Sequence, residues 1–179
     1  MIVKSFIDNP SIKNDVEPLF LSAFPEDERP PAKRYFSLFK KNSNILYGFY
    51  EGKNFIGFAS VTIYKDIAYI FFLAVTLENR NKGYGSAILS YIKNEYQNYT
   101  VLLCYEEVDD KYPDNDLRKK REEFYIRNGF IRNPFKSDEF NVVYQSAYYG
   151  SHEVSFEEYQ EIFKMGFGSF AVKFLRKYQ

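Results

Sequence analysis

The 179-residue chain suits one domain with at most a small addition, since single cores usually occupy about 100 to 200 residues, and 45% hydrophobic residues with 17 Tyr and 19 Phe supply ample material for that core. Its longest apolar run, 67–75, is far shorter than the roughly 20 residues of a membrane-crossing helix, and 24 cationic against 24 anionic residues remove the overall electrostatic case for nucleic-acid binding. One Cys and one His exclude an internal disulfide and a Cys/His metal cluster; any metal would need carboxylates, and none is expected.

The opening MIVKSFIDNP lacks a basic region followed by a long apolar core and a cleavage site, so it does not read as an export signal, and a cytoplasmic location is the default expectation. Residues 2–7 have a strand pattern, and Asn14 with Glu17 has the spacing to cap a helix carrying Val16, Leu19, Phe20 and Phe24 on one face. PEDERPP ends that helix, and Tyr35, Phe36 and Phe39 suggest a second short one. From Ile45 to Val75 the chain reads as three antiparallel strands with turns near Gly52 and Asp66; the third is apolar at successive positions and so covered on both faces.

After a charged turn, Tyr84, Ala87, Ile88, Tyr91 and Ile92 recur at helical spacing, and 99–105 is a new strand-like run. An acidic loop with Pro113 and Asn115 leads into a charged helix over about 117–128, ended by Gly129. Two more strands follow, around Phe130 and over 140–148. Ser155 and Glu158 form a capping-box pattern before Phe156, Tyr159, Ile162 and Phe163, and Gly166 and Gly168 separate that helix from a last one running through Tyr178. This order predicts an α/β fold of the α+β kind, a mixed and largely antiparallel sheet flanked by helices, with residues 1–150 as the main body and 151–179 as a helical extension of the same domain.

The turn between the third strand and its helix, NRNKGYG, is neither the G-x-G-x-x-G of dinucleotide binders nor the G-x-x-x-x-G-K of phosphate loops. A helix that begins at Gly83 or Tyr84 presents free backbone N–H groups and a positive dipole end, which suit a phosphate; Gly83 and Gly85 leave its mouth open, and Arg80 and Lys82 add charge. The turn is short, which favours a pyrophosphate in an extended cofactor. The structural alternative is that the glycines only permit a tight turn and the cations are solvated. By composition alone R/Q-x-x-G-x-G arises in about one chain in ten of this length, so the strand before it and the helix after it carry the anion reading.

RNKGYG at 80–85, preceded by the LAV strand end and followed by FYIRNGF at 124–130, resembles the GCN5-related N-acetyltransferases in motif order and spacing, and the strand pattern over about 2–148 is similar to that family's sheet. The resemblance implies that 1–150 is a catalytic domain binding acetyl-CoA and passing its acetyl group to an amine. It implies that the turn Arg80, Asn81, Lys82, Gly83, Tyr84, Gly85 and Ser86 holds the CoA pyrophosphate. The backbone of Leu73, Ala74 and Val75 would pair with the pantetheine arm and aim an N–H at the thioester oxygen. In many family members an Asn about seven residues before the motif Tyr contacts the cofactor arm. Here that place is Arg118, while Asn115 lies earlier, so either a rearranged loop brings Asn115 to the cofactor or Arg118 substitutes for it.

Attack of an amine on a thioester needs a neutral amine, donors for the developing oxyanion and a proton for the departing thiolate. By the resemblance Tyr125 gives that proton; the alternative is that Phe124, Tyr125 and Phe130 are core aromatics. For the base, Glu26, Asp27 and Glu28 lie in one acidic loop, Glu106, Glu107, Asp109 and Asp110 follow the Cys104 strand, and Glu78 precedes the turn. Such clusters are usually solvated; read functionally they attract a cationic amine, with Glu28 or Glu106 the favoured base. Cys104 in its apolar strand reads as a buried, inert thiol, and His152 as a loop residue.

These readings favour a cytoplasmic, acetyl-CoA-dependent N-acetyltransferase working in a ternary complex on a small-molecule or peptide amine, with no nucleic-acid or membrane partner. A silent acetyl-CoA-binding or sensing protein is the alternative. A small kinase is disfavoured, because no Gly-Lys-Ser/Thr follows the turn. The aromatic C-terminal segment could cover the sheet, shape the acceptor pocket or join a second subunit as a homodimer.

Overall fold

The structure, a computed structural model, describes residues 1–26, 29–40, 43–169 and 171–178. Its strands are β1 (Ile2–Ser5), β2 (Asn44–Glu51), β3 (Asn54–Tyr64), β4 (Ile67–Val75), β5 (Thr100–Glu106), β6 (Ile131–Glu139), β7 (Val142–Tyr149) and β8 (Leu175–Tyr178). They form one sheet in the order β1-β2-β3-β4-β5-β7-β6-β8. Neighbours run antiparallel except β4 and β5, which are parallel because helix α3 (Tyr84–Glu95) crosses over between them.

Two layers of helix cover the sheet. Alternation on β5 sends Val101, Leu103 and Tyr105 to one face, where Ile88, Leu89 and Ile92 of α3 pack with Phe124 and Tyr125 of α4 (Asn115–Arg127). Leu102 and Cys104 point the other way, toward Tyr159, Ile162 and Phe163 of α5 (Phe156–Phe167). Beside α5, α1 (Lys13–Ala23) and α2 (Ala32–Leu38) bury Val16, Phe20, Tyr35 and Phe36 against Phe58 and Phe72. Phe20 and Tyr35 stack with ring centroids 4.1 Å apart.

The strand that shapes everything downstream is β4. Ser60 of β3 pairs with Phe72 but Val61 pairs with Ile70, so Phe71 is an extra residue with no partner on β3. This bulge is fixed by the Phe72 N–H donating to Ser60 Oγ at 3.2 Å. It also reverses the facing of the strand: Ala68 and Ile70 lie on the α3 face, whereas beyond the bulge Phe72 and Ala74 lie on the α1–α2 face.

Several expected elements have different ends. Asn14 does not cap α1; a short turn at Pro10–Ile12 runs straight into the helix, whose first residue is Lys13, and Pro10 pre-sets the backbone that starts it. The expected last helix is absent: after Gly168 comes a turn, Ala171–Phe174, and then β8, which pairs with β6 from Lys136↔Tyr178 to Glu139↔Leu175. The free edge of β6 offers backbone partners that an isolated helix of this length lacks, and Leu175 buries itself while Arg176, Lys177 and Tyr178 stay exposed.

Gly166 does not break α5 but sits within it, because the Phe71 ring lies against its Cα so closely that a Cβ would overlap the ring. Replacing Gly166 by Ala is expected to displace Phe71 and destabilise the fold by about 1 to 3 kcal/mol despite the better helix propensity of Ala, read as a lower Tm in a thermal melt.

Candidate active site

Parallel pairing of β4 with β5 covers only 67–70 against 100–103. Beyond the Phe71 bulge the strands part, and a cleft of about 470 Å³ opens between Phe71–Val75 on one side and Leu103–Glu106 on the other. Its wall includes Tyr105 and Tyr125 from the α3–α4 face and Tyr69, Cys104, Glu139 and Phe167 from the α5 face, so the opening passes through the sheet.

Leu73 and Val75 on the α3 side, Ala74 on the α1–α2 side and Arg80 line the cleft. Next to them α3 starts at Tyr84 with Gly83 as its N-cap in the left-handed region, φ 83°, after Asn81 at φ 61°. The first backbone bond of the helix is Ala87 N–H to Gly83 C=O at 3.0 Å, which leaves the N–H groups of Tyr84, Gly85 and Ser86 directed out of the helix end. Exposed Lys82 stands beside them, and Arg80, also exposed, donates from Nε to Val75 O at 3.4 Å. Together these fit an anionic group. The two glycines differ in purpose. A Cβ at Gly83 would meet open space, whereas at Gly85 it would come to 3.0 Å from the Phe124 ring, so Gly85 also serves the packing of α4 on α3.

Tyr125 on α4 reaches the cleft with its ring stacked on Tyr105, centroids 5.5 Å apart. Burial raises its hydroxyl above the usual phenol range, with Arg121 pulling the other way, so it stays protonated near neutrality. Arg121 precedes Tyr125 by one helical turn and lines the same wall. It pairs with Glu106 Oε2, while Arg118 Nη2 lies 3.6 Å from Oε1. Glu106 is only 9% exposed and lies between two guanidinium groups, each of which it meets through a different carboxylate oxygen.

Neither Asn115 nor Arg118 faces the cleft. Asn115 Nδ2 donates to Asp110 Oδ1 at 2.7 Å and its Oδ1 accepts from the Asp109 N–H at 3.0 Å, so its amide organises the loop before α4. Arg118 ties the same loop, donating to Asp114 and to Glu107 O and lying over the Tyr112 ring. The second acidic cluster is not all solvated: burial opposes ionisation of Glu107, but Lys136 and Lys111 outweigh it and hold the carboxyl below its usual range. Glu78 is exposed, and its carboxyl is also held low, by a backbone N–H and by Thr76. Glu28, the other favoured base, lies outside the described residues with Asp27. His152 sits in a loop after β7 with Nδ1 3.1 Å from Thr100 Oγ1. Burial pushes the Cys104 thiol far above its usual range, which favours its protonated form although it lines the cleft.

A carboxylate that sequence reasoning missed completes the wall. Glu139, the last residue of β6, accepts at Oε1 from Ser137 Oγ and from the Tyr159 hydroxyl, each at 2.6 Å. Burial pushes it up to about 7; the two hydrogen bonds oppose that shift and Asp138 adds to it. Its signal in the sequence is slight: a Glu between two strand patterns, with no motif around it.

Comparison with known proteins adds a family to this geometry. A family model described as an acetyltransferase (GNAT) domain matches residues 42–132. Among solved structures, a GNAT-family protein from Bacteroides thetaiotaomicron superposes with a TM-score of 0.73 at 18% identity, covering 92% of this chain and 96% of its own. An aminoglycoside 6'-N-acetyltransferase complexed with coenzyme A gives 0.67 at 17%, covering 83% and 96%. A spermidine N-acetyltransferase from Vibrio cholerae gives 0.65 at 12%, covering 83% and 92%. No curated protein sequence matches the chain. Among the described residues no helix is long and apolar enough to cross a membrane, and no group of three or more His, Cys, Asp or Glu is placed to hold a metal ion.

The raised Glu139 carboxyl has a consequence for stability. A carboxyl at about 7 in the folded chain and at 4.5 when unfolded contributes fully below the lower value and is progressively lost as pH rises through the upper one. Glu139→Gln keeps an oxygen for Ser137 and Tyr159 and removes the charge. Its Tm relative to the unaltered protein is therefore expected to rise between pH 5 and pH 8, as measured by paired thermal melts; a difference constant with pH would contradict the assignment.

Proposed function

The chain belongs to the GNAT acetyltransferase family, and from that premise we propose that it transfers an acetyl group from acetyl-CoA to a primary amine by direct attack in a ternary complex. The observation that carries the proposal is the gap between β4 and β5, which opens beside the N-terminus of α3. Acetyl-CoA enters as a substrate, the acyl donor. Its pyrophosphate would be met by the N–H groups of Tyr84, Gly85 and Ser86 with Arg80 and Lys82, and the amides of its arm would find backbone partners along 71–75, where β4 has no neighbour on the β5 side. N–H groups of the same stretch are the available donors for the thioester oxygen as negative charge develops on it.

Tyr125 is the proton donor for the departing thiolate: it lines the cleft, is neutral near pH 7 and rests on Tyr105. The Cys104 thiol stays protonated, which supports direct transfer over an acyl-enzyme. Solved relatives by shape act on aminoglycosides and spermidine, both amines, and an amine acceptor entering from the α5 face suits the through-sheet cleft.

Calorimetric titration is expected to show acetyl-CoA binding, and release of free thiol over a panel of amines to show turnover. Failure to bind acetyl-CoA would sink the proposal; binding without thiol release from any amine would leave a silent acetyl-CoA binder. Tyr125→Phe is expected to lower kcat on the order of 100-fold with acetyl-CoA affinity unchanged. Full turnover in that variant from about pH 6 to pH 9 would remove Tyr125 from the acid role.

A further inference from the structure

We infer that Glu139 binds the acceptor ammonium and takes its proton, and that the aromatic wall around it selects an amine carried on an apolar body. The inference rests on the acetyltransferase reading above and names its acceptor site.

The placement comes first. Glu139 reaches the cleft from the face opposite α3 and α4, so it meets whatever enters on the side away from the pyrophosphate end. Among the described residues its hydrogen bonds fall on Oε1, which leaves Oε2 for a ligand. The groups that face it are Ser137 and Asp138 on its own strand, Tyr159 on α5, Tyr69 on β4 and Cys104 on β5, with Tyr144 of β7 in the same wall. None of these is a cation. An arriving ammonium therefore supplies a positive charge that these described residues do not, in contrast to Glu106 and Glu107, whose charges are already matched by arginines and lysines.

The walls give the acceptor its second property. Tyr69 and Phe71 meet edge to face at 4.6 Å, Phe71 and Phe167 at 5.0 Å, and with Phe24 they make the α5-side mouth of the cleft aromatic. Such a surface attracts an ammonium through its ring faces and an apolar body through burial.

The step balances as follows. Glu139 Oε2 takes one proton from R–NH3+, leaving R–NH2. The nitrogen lone pair forms the N–C bond at the thioester carbon, and the carbonyl electrons move to oxygen. Collapse reforms C=O and breaks C–S; the thiolate takes the Tyr125 proton, and the Tyr125 oxygen takes the remaining extra proton from nitrogen. Glu139 returns its proton to solvent, so amine cation and thioester give amide, thiol and one proton. A carboxyl poised at about 7 can perform this near neutrality.

The test compares the full chain with Glu139→Gln, using 2-phenylethylamine and spermidine as acceptors, with acetyl-CoA binding followed calorimetrically. The unaltered enzyme is expected to prefer 2-phenylethylamine in kcat/KM, with a rate that rises with pH through about 7 and then levels. In Glu139→Gln, kcat/KM at pH 7 should fall on the order of 100-fold and keep rising with pH toward the amine's own pKa, while acetyl-CoA affinity and the melting transition show a folded, donor-competent protein. An unchanged rate and pH profile in that variant would overturn the role of Glu139, and preference for spermidine would overturn the apolar-body assignment. Loss of acetyl-CoA binding in the unaltered protein would instead defeat the acetyltransferase reading itself.

Discussion

Backbone pairing between β4 and β5 stops at Ile70 and Leu103, and the cause lies one strand away, where Phe71 has no partner on β3. An extra residue on one strand bends it and increases its local twist. In a continuous sheet that would be a defect, but here it carries the C-terminal half of β4 away from β5 and leaves backbone groups exposed in the middle of a buried sheet. The bulge itself is accommodated by Ser60, which bonds the Phe72 N–H on the β3 side, and by Gly166, which yields space to the Phe71 ring. The cleft, the facing of Leu73–Val75 and the through-sheet access all follow from that one inserted residue.

Charge is distributed around the opening with similar economy. The β5–α4 connection carries a dense set of acids and bases, and most of it is internally matched: Glu106 with Arg118 and Arg121, Glu107 with Lys111 and Lys136, Asp114 with Arg118. Such matched pairs do little for net stability at a surface, but where they are buried they hold a loop in one shape. The effect is to stiffen the base of α4 and so the perch of Tyr125, while Glu139 in the same wall pairs with no cation among the described residues.

Much of this was legible from sequence where the pattern is local. The three hairpin strands, α3 and its glycine turn, and the capping box of α5 were readable because strand alternation, helical spacing and the Ser155–Glu158 pair are properties of neighbouring residues. The bulge was not, since it is defined by which residue of β3 faces which residue of β4. Nor was the fate of Glu106, whose carboxylate looks free in sequence until α4 folds over it. The family pattern leaves Asn115 or Arg118 for the cofactor arm, and sequence alone does not show that Asn115 bonds Asp109 and Asp110 in its own loop. The last strand escaped notice because its partner, the free edge of β6, is remote in sequence and nothing within 175–178 distinguishes a strand from a helix end.

That last strand has a consequence for how such a protein diversifies. Leu175 pairs directly with Glu139, so the chain's final segment and α5 brace one wall of the cleft from outside the stretch matching the family model, 42–132, which adds Tyr69, Phe71 and Cys104 to that wall and builds the other. Substitutions after residue 132 can therefore reshape part of that wall while the stretch that matches the family model stays intact.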